Sequence, residues 1–328
     1  MSLVDRLKKA IGLSPFHDPL VADLQKALSP DRVLEDYEER LLHSKDESVF
    51  EGGLAGPVCF PLTTEEVQSI MKIAQRHDRA VIPRGAGSGL AGGAIPLGAP
   101  VVVALTKMNN IIEVDIENRI AWVEAGVINL ELSDHLRPMG FHYAPDPSSQ
   151  QICTIGGNVA NNSGGPHCLA DGVTDTHVLA LEVVLPDGEV TQFGGLDPEP
   201  DGLDLRGAFI GSEGTLGIAT KIAVRLTANP EAVKTILISF PTMRAAAETV
   251  SAVIAGGIVP AAMEAMDQRT IEVIENHVPA GYPKDAGAVL LVEVEGLPDG
   301  IEIDAERICE IAEKHQAEDI RIAQNSWQ

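Results

Sequence analysis

Arg84-Gly85-Ala86-Gly87-Ser88-Gly89-Leu90-Ala91-Gly92-Gly93 is the stretch on which the fold turns. Gly87, Gly89 and Gly92 match the spacing G-x-G-x-x-G, which is a weak signal standing alone. A Rossmann dinucleotide site needs a strand before this loop, a helix after it, and an acid about 20 residues further on. The strand is present as Ala80-Val81-Ile82-Pro83. The helix is not, because Pro96 interrupts four residues after Gly92 and a new apolar run begins at Val101. Glu113 stands near the required distance, but the segment leading to it is itself strand-like. A nicotinamide site is therefore rejected. Five glycines in nine residues, with Leu90 the one bulky side chain, expose successive backbone N–H groups. Such a concavity can hold a pyrophosphate without lysine. A tight turn beside closely packed strands would use the same residues.

Two more loops change that balance. Pro145 to Gly165 (PDPSSQQICTIGGNVANNSGG) is too polar for a core and, by its glycines, too weak for an exposed helix. Gly211-Ser212-Glu213-Gly214-Thr215-Leu216-Gly217-Ile218 runs straight into a strand. Three such loops in one region imply one extended ligand with several polar parts.

Around the loops the pattern is mixed. Residues 1–56 read as a helical, peripheral arm. Thr63-Thr64-Glu65-Glu66 is a capping-box pattern, with Val67, Ile70, Met71 and Ala74 at helical spacing behind it. Ile111–Asp115 and Ile120–Glu124 read as a hairpin, and Asn129 to Pro138 as a helix. Val178 to Leu185 and Gly217 to Leu226 read as strands. Asn229-Pro230 marks a boundary. After it come strands at 235–240, 260–266 and 288–295, helices at 243–255, 268–277 and 301–315, and a last strand beginning near Ile320. That order predicts helices on one face of a sheet. The divisions expected are an arm (1–56), a central domain (57–229, in subdomains of about 57–110 and 111–229) and an incomplete second domain (230–328).

The 48 acids against 24 lysines and arginines give a formal charge of −24. Such a charge repels phosphate backbones, so nucleic acid is excluded as a partner. Cys59, Cys153, Cys168 and Cys309 form no C-x-x-C pair, so no zinc ribbon or internal iron–sulfur cluster is expected. The first residues lack the apolar core of a signal peptide, and no run approaches the roughly 20 apolar residues of a membrane span. A cytoplasmic protein is expected, with no transmembrane segment, peripheral to a membrane at most through a partner. No two histidines stand at metal-ligand spacing, so no metal site is expected; His135 and His142 read as surface residues.

In order, R-G-A-G-S-G-L-A-G-G, P-D-P-S-S-Q, I-G-G-N-V-A-N-N-S-G-G, H-C-L-A-D-G and G-S-E-G-T-L-G-I resemble the vanillyl-alcohol-oxidase type of FAD domain. More narrowly, the pattern is similar to glycolate oxidase flavoprotein subunits and bacterial D-lactate dehydrogenases, and the resemblance covers nearly the whole chain. The resemblance implies an α+β fold: a two-subdomain FAD-binding domain followed by a partial α+β cap. Carried over by position, Pro83, Arg84, Gly85, Ala86, Gly87, Ser88 and Gly89 bind the pyrophosphate. Pro145, Asp146, Ser148, Ser149, Cys153, Thr154, Gly156, Gly157 and Asn158 line the flavin. Asn162, Ser163 and Gly165 complete the cradle, and Glu213, Gly214 and Ile218 lie along the ribityl–adenine side. Covalently flavinylated relatives carry a histidine near the position of Ser88, so the flavin is expected to be non-covalent.

The resemblance further implies oxidation of a D-2-hydroxy acid such as glycolate or D-lactate, with hydride passing to flavin N5 and electrons to an iron–sulfur partner. The family's H-x-G-D-G-N-x-H motif, which supplies metal ligands and a catalytic histidine, does not occur in these 328 residues. The chain is therefore expected to be a truncated form that holds flavin without base or metal. D-2-hydroxyglutarate dehydrogenase and alkyl-glycerone-phosphate synthase are rival relatives, and a non-catalytic flavin-binding accessory subunit is the non-enzyme alternative.

Overall fold

The computed structural model describes residues 18–196 and 202–323. Thr63 caps the helix Thr64–Arg76, its hydroxyl accepting from the Glu66 amide at 3.3 Å. Glu66 reaches back one residue further than a standard capping box, accepting from the Leu62 amide at 2.7 Å. It also takes a two-pronged contact from Arg32 at 2.5 and 2.7 Å, which ties the N-terminal segment to this helix. Val67, Ile70, Met71 and Ala74 form the buried stripe.

Strands β1 (Val33–Leu34), β2 (Val58–Cys59), β3 (Val81–Arg84) and β4 (Val101–Ala104) form the first sheet in the order β1-β2-β4-β3. β2, β4 and β3 run parallel, and β1 pairs antiparallel with β2. The arm is not peripheral as expected. The helix Pro19–Leu28 buries Leu20, Val21, Leu24 and Leu28, and packs on Thr64–Arg76. Its 3–4 spacing of apolar residues puts all four on one face. Residues 1–17 lie outside the described residues.

β5 (Ile111–Asp115), β6 (Ile120–Glu124), β8 (Val178–Val184), β9 (Val190–Gly194) and β10 (Ile218–Arg225) make a five-stranded antiparallel sheet, order β5-β6-β10-β8-β9. The short β7 (Phe141–His142) pairs with β11 (Thr227–Ala228) beside it. One hydrophobic core runs through both sheets, from Val101, Val103 and Ile70 to Val123, Leu181 and Ile222. Glu182 adds a polar tie between the two layers. It accepts from the Thr64 hydroxyl at 2.6 Å and from the Thr220 hydroxyl at 2.9 Å. These bonds, with Lys221, hold its carboxyl below the usual range against the opposing effect of burial.

The second loop contains a helix that its glycines argued against. Ile155–Asn161 is helical, capped by the Thr154 hydroxyl on the Gly157 amide at 3.2 Å. It survives because it is not exposed: Ile155 and Val159 enter the core, and a Cβ on Gly156 would lie 2.7 Å from the Ala125 Cβ. The glycines are there for close approach, and burial outweighs their propensity cost.

In the last part, β12 (Ala232–Phe240), β13 (Ala262–Asp267), β14 (Ala288–Gly296) and β15 (Asp319–Ile322) form an antiparallel sheet, order β13-β14-β12-β15. The expectation of helices on one face is corrected. Helices Met243–Ala255 and Pro298–Lys314 cover one face, packing on Ile236, Ile238, Leu290 and Val292. Helix Gln268–His277 covers the other, with Ile271 against Val289 and Leu237. The strands alternate apolar residues on both sides, and period two then requires cover for each.

Leu181 is fully buried at the centre of the two-sheet core, whereas Ile303 is exposed on a cap helix. Leu181→Ala is expected to cost about 2–5 kcal/mol of stability, and Ile303→Ala to stay within about 0.5 kcal/mol. Urea unfolding of both variants, followed by circular dichroism, checks the contrast.

Candidate functional site

The three glycine-bearing loops meet around a cavity of about 510 Å³ between the two sheets, within the ordinary range for a ligand site. Their meeting depends on missing side chains. A Cβ on Gly85 would collide with the Thr154 hydroxyl, and one on Gly214 with the Pro83 ring. One on Gly93 would stand 3.1 Å from Glu213 Oε2. First loop touches second, and third touches first, with no bulk between them. Gly87 and Gly214 also sit at φ +76° and +73°, which side-chain-bearing residues rarely adopt.

Most residues expected at the site line this cavity: Pro83 to Gly89, Ser148, Ser149, Cys153, Thr154, Gly156, Gly157, Asn158, Ser163, Glu213, Gly214 and Ile218. Four do not. The Pro145 carbonyl instead accepts from the buried Asn129 amide at 2.8 Å. Asp146 turns to His167, and Gly165 packs against Asp146 so closely that a Cβ there would strike it. Asn162 ends the helix Ile155–Asn161 in a left-handed conformation, its side chain accepting from the Asp175 amide at 2.9 Å. These four shape the second loop from behind.

Sequence reading missed Asp46 and Glu47, which the N-terminal arm brings into the wall, and Leu105 and Phe209, which supply apolar surface. The Glu47 amide donates to the Gly89 carbonyl at 3.1 Å, so the arm edges the first loop. No local pattern marked these residues; only the tertiary path places them.

The wall is short of partners in a telling way. Arg84 is buried at its base, and its Nη1 has no hydrogen-bond partner. Burial lowers its pKa from the usual arginine value, with the Asp46 charge working in the opposite direction. A Cβ on Gly87 would collide with this guanidinium. Asn158 Nδ2 is a second buried donor without a partner. Unmade bonds at buried donors cost free energy comparable to a hydrogen bond. Both donors line the cavity, so a ligand rich in acceptors, with phosphate and carbonyl oxygens, fits the residues present. Burial also raises the Cys153 thiol, which stays protonated as a small apolar group in the wall.

Beside the cavity, the loop and the last sheet are joined by a histidine. His167 Nδ1 lies 2.6 Å from Asp146 Oδ2, and Nε2 lies 3.1 Å from Glu293 Oε1 on β14. The bond to Asp146, then that to Glu293, pushes His167 up to about 10.

A family model described as FAD binding domain matches residues 56–194, and one described as FAD linked oxidases, C-terminal domain, matches residues 229–328. The chain is 42% identical over 286 residues to the glycolate oxidase subunit GlcD of Bacillus subtilis, covering 87% of this chain and 61% of that one. It is 41% identical over 268 residues to GlcD of Escherichia coli K12, covering 82% and 54%. It is 34% identical over 276 residues to a D-lactate dehydrogenase of Archaeoglobus fulgidus, covering 84% and 57%. The chain thus spans between 54% and 61% of the length of these relatives. An alkyldihydroxyacetonephosphate synthase superposes with a TM-score of 0.82 at 20% identity, over 94% of this chain and 61% of that one. p-Cresol methylhydroxylase superposes with a TM-score of 0.75 at 20% identity, over 93% and 65%. These likenesses show the fold, an α+β arrangement of the vanillyl-alcohol-oxidase type.

Gly87→Val is expected to reduce the FAD retained through purification at least tenfold, because valine opposes the positive φ and displaces Arg84. His142→Ala, whose ring contacts Asn229 away from the cavity, should leave flavin content unchanged. Absorbance at the flavin band against protein concentration reads both. With its FAD-binding domain and C-terminal oxidase domain side by side, the chain belongs to the FAD-linked oxidase family and takes FAD as its cofactor.

Proposed function

We propose that this chain is the flavin-holding part of a flavoprotein that oxidises a small D-2-hydroxy acid, glycolate or D-lactate. The observation that carries the reading is the three-loop cavity with unpartnered buried donors, in a chain 42% identical to a glycolate oxidase subunit. A division into a FAD-binding domain at 57–229 and a cap from 230 onward accompanies it. FAD, when bound, supplies the electron sink for hydride removal from the α-carbon.

The chain's own residues bind and orient. Amides of Gly85 to Gly89 would hold the phosphates of FAD, and Arg84 would offset their charge. Asn158 would donate to the polar edge of the flavin, Cys153 and Phe209 would keep water from its ring, and Ile218 would lie along the ribityl–adenine side. Among the described residues no histidine lines the cavity, so these residues position the reaction and leave proton removal to other groups. With no C-x-x-C pair in the chain, onward electron transfer is assigned to a separate iron–sulfur subunit. No helix among the described residues is long and apolar enough to cross a membrane.

Ser88 stands where covalent relatives place histidine, so the flavin is held non-covalently. Precipitation with trichloroacetic acid should therefore leave the yellow colour in the supernatant, and a yellow pellet contradicts this. The reaction is tested by mixing the flavoprotein, isolated from its native source, anaerobically with glycolate, D-lactate, L-lactate or D-2-hydroxyglutarate. Bleaching by glycolate or D-lactate is the expected result. Bleaching by D-2-hydroxyglutarate alone moves the substrate, and bleaching by none while dithionite still reduces the flavin overturns the reading.

A further inference from the structure

The junction between the second glycine loop and the cap sheet gathers ligands that lie far apart in sequence. His167 follows Gly164 and Gly165, and Glu293 and Glu295 stand two apart on β14, on the same face of the strand. One ligand atom from each of His167, Glu293 and Glu295 lies within 4.8 Å of the others. No histidine pair in the sequence could have pointed to this group, because only one member is a histidine and the other two arrive from the next domain.

Two observations separate this cluster from an ordinary ion pair. The first is charge. One imidazole faces Asp146, Glu293 and Glu295, with Asp171 and His142 the further groups acting on Glu295. Among the described residues no lysine or arginine is paired with any of those three carboxylates, and the Glu295 side chain has no hydrogen bond. The imidazole can balance at most one of these three carboxylates, and the surplus of like charge held this close at the seam would be offset by a further cation.

The second is the way His167 is held. A carboxylate behind Nδ1 fixes the ring's tautomer and orientation and leaves Nε2 facing further carboxylate oxygens, the arrangement of a carboxylate–histidine–metal relay. Two ligand atoms each about 2.0–2.2 Å from a shared ion, at ordinary coordination angles, stand roughly 3.0–3.5 Å apart. The 3.1 Å between His167 Nε2 and Glu293 Oε1 falls in that range. Gly165, which admits no Cβ, lets Asp146 come close enough to serve as the backing carboxylate.

We propose that His167 Nε2, Glu293 and Glu295 bind one divalent cation, Zn²⁺ or Mn²⁺, with Asp146 as the residue that positions His167. One imidazole with two carboxylates is a mixed nitrogen and oxygen set that suits these ions and offers no soft sulfur for copper(I). The cation replaces the proton joining Nε2 to Glu293, and that proton leaves to solvent. Open coordination positions are filled by water. The ion would join β14 of the cap to His167, whose backing carboxylate Asp146 is followed by Pro147 and Ser148 of the cavity wall. The inference does not rest on the proposed substrate or on FAD being bound.

The test uses the full chain, stripped of metal with EDTA and dialysed, and titrated calorimetrically with zinc chloride or manganese chloride alone. One equivalent should bind, and the melting temperature should rise with added metal. Glu295→Gln removes a charge from an exposed side chain outside His167's hydrogen bonds, so it should fold normally and bind the ion at least tenfold more weakly. Asp146→Asn should weaken binding by about 10–100-fold, as loss of a backing carboxylate does. Failure of the unaltered chain to bind either ion stoichiometrically overturns the proposal. So does binding that is equally tight in Glu295→Gln and His167→Gln, which would place the ion elsewhere. FAD content measured on the same samples separates the outcomes: flavin without metal overturns the ion site alone, and metal without flavin leaves it standing.

Discussion

The close approach of glycine backbones to the side chains of neighbouring segments is the constraint on which the site depends. Gly85 lies against Thr154, Gly214 against Pro83, and Gly156 against Ala125, each without room for a Cβ. Side chains at those positions would force the segments apart and separate the residues that line the cavity. The two sheets behind them supply the rigidity. A single core through Ile70, Val103, Leu181 and Ile222 leaves the subdomains little freedom to slide. Glu182, bonded to Thr64 and Thr220, fixes their relative position at the edge of that core.

Much of this was legible in sequence because glycine and proline report backbone geometry directly. Pro96 was enough to exclude a Rossmann helix, and the spacing of Thr63 and Glu66 marked the start of a helix correctly. The failures share one cause: contacts made by residues distant in sequence. Leu20, Leu24 and Leu28 looked peripheral because their partners lie on the helix Thr64–Arg76. The helix Ile155–Asn161 looked untenable because its support, Ala125, is thirty residues away on another element. The last sheet was expected to be covered on one face, but Ile271 covers Leu237 and Val289 on the other.

The site shows the same division. Residues within the three motifs reached the cavity wall where their neighbours were also glycine or small, so that the loop could turn inward. Pro145, Asp146, Asn162 and Gly165 belong to the same motifs but sit at their bends, where side chains and carbonyls are used to hold the loop's shape. Asp146 illustrates the point. Its carboxylate is turned out of the cavity by His167, and His167 is in turn held by Glu293, a residue of the next domain.

The acidity of the chain sets a last physical problem. A net charge of −24 opposes the approach of a dinucleotide that is itself anionic. Most of that charge is distant from the cavity, and at physiological ionic strength it is screened beyond about 8 Å. What remains is local, and locally the wall is also acidic, with Asp46, Glu47 and Glu213 against Arg84. Attraction must therefore come from groups whose effect is short-ranged and oriented: the amides of the first loop, the unpartnered Arg84 Nη1 and the Asn158 amide. The amide dipoles among them fade within a few ångströms and act on a ligand only when it is seated. The acids lining the wall then disfavour an anionic group beside them and leave the glycine amides as the place where a charged part of a ligand is least opposed. A bare inorganic phosphate lacks the apolar ring surface whose burial would offset the nearby carboxylates, so a larger ligand with an apolar part is expected to bind this cavity more tightly than its charged fragment alone.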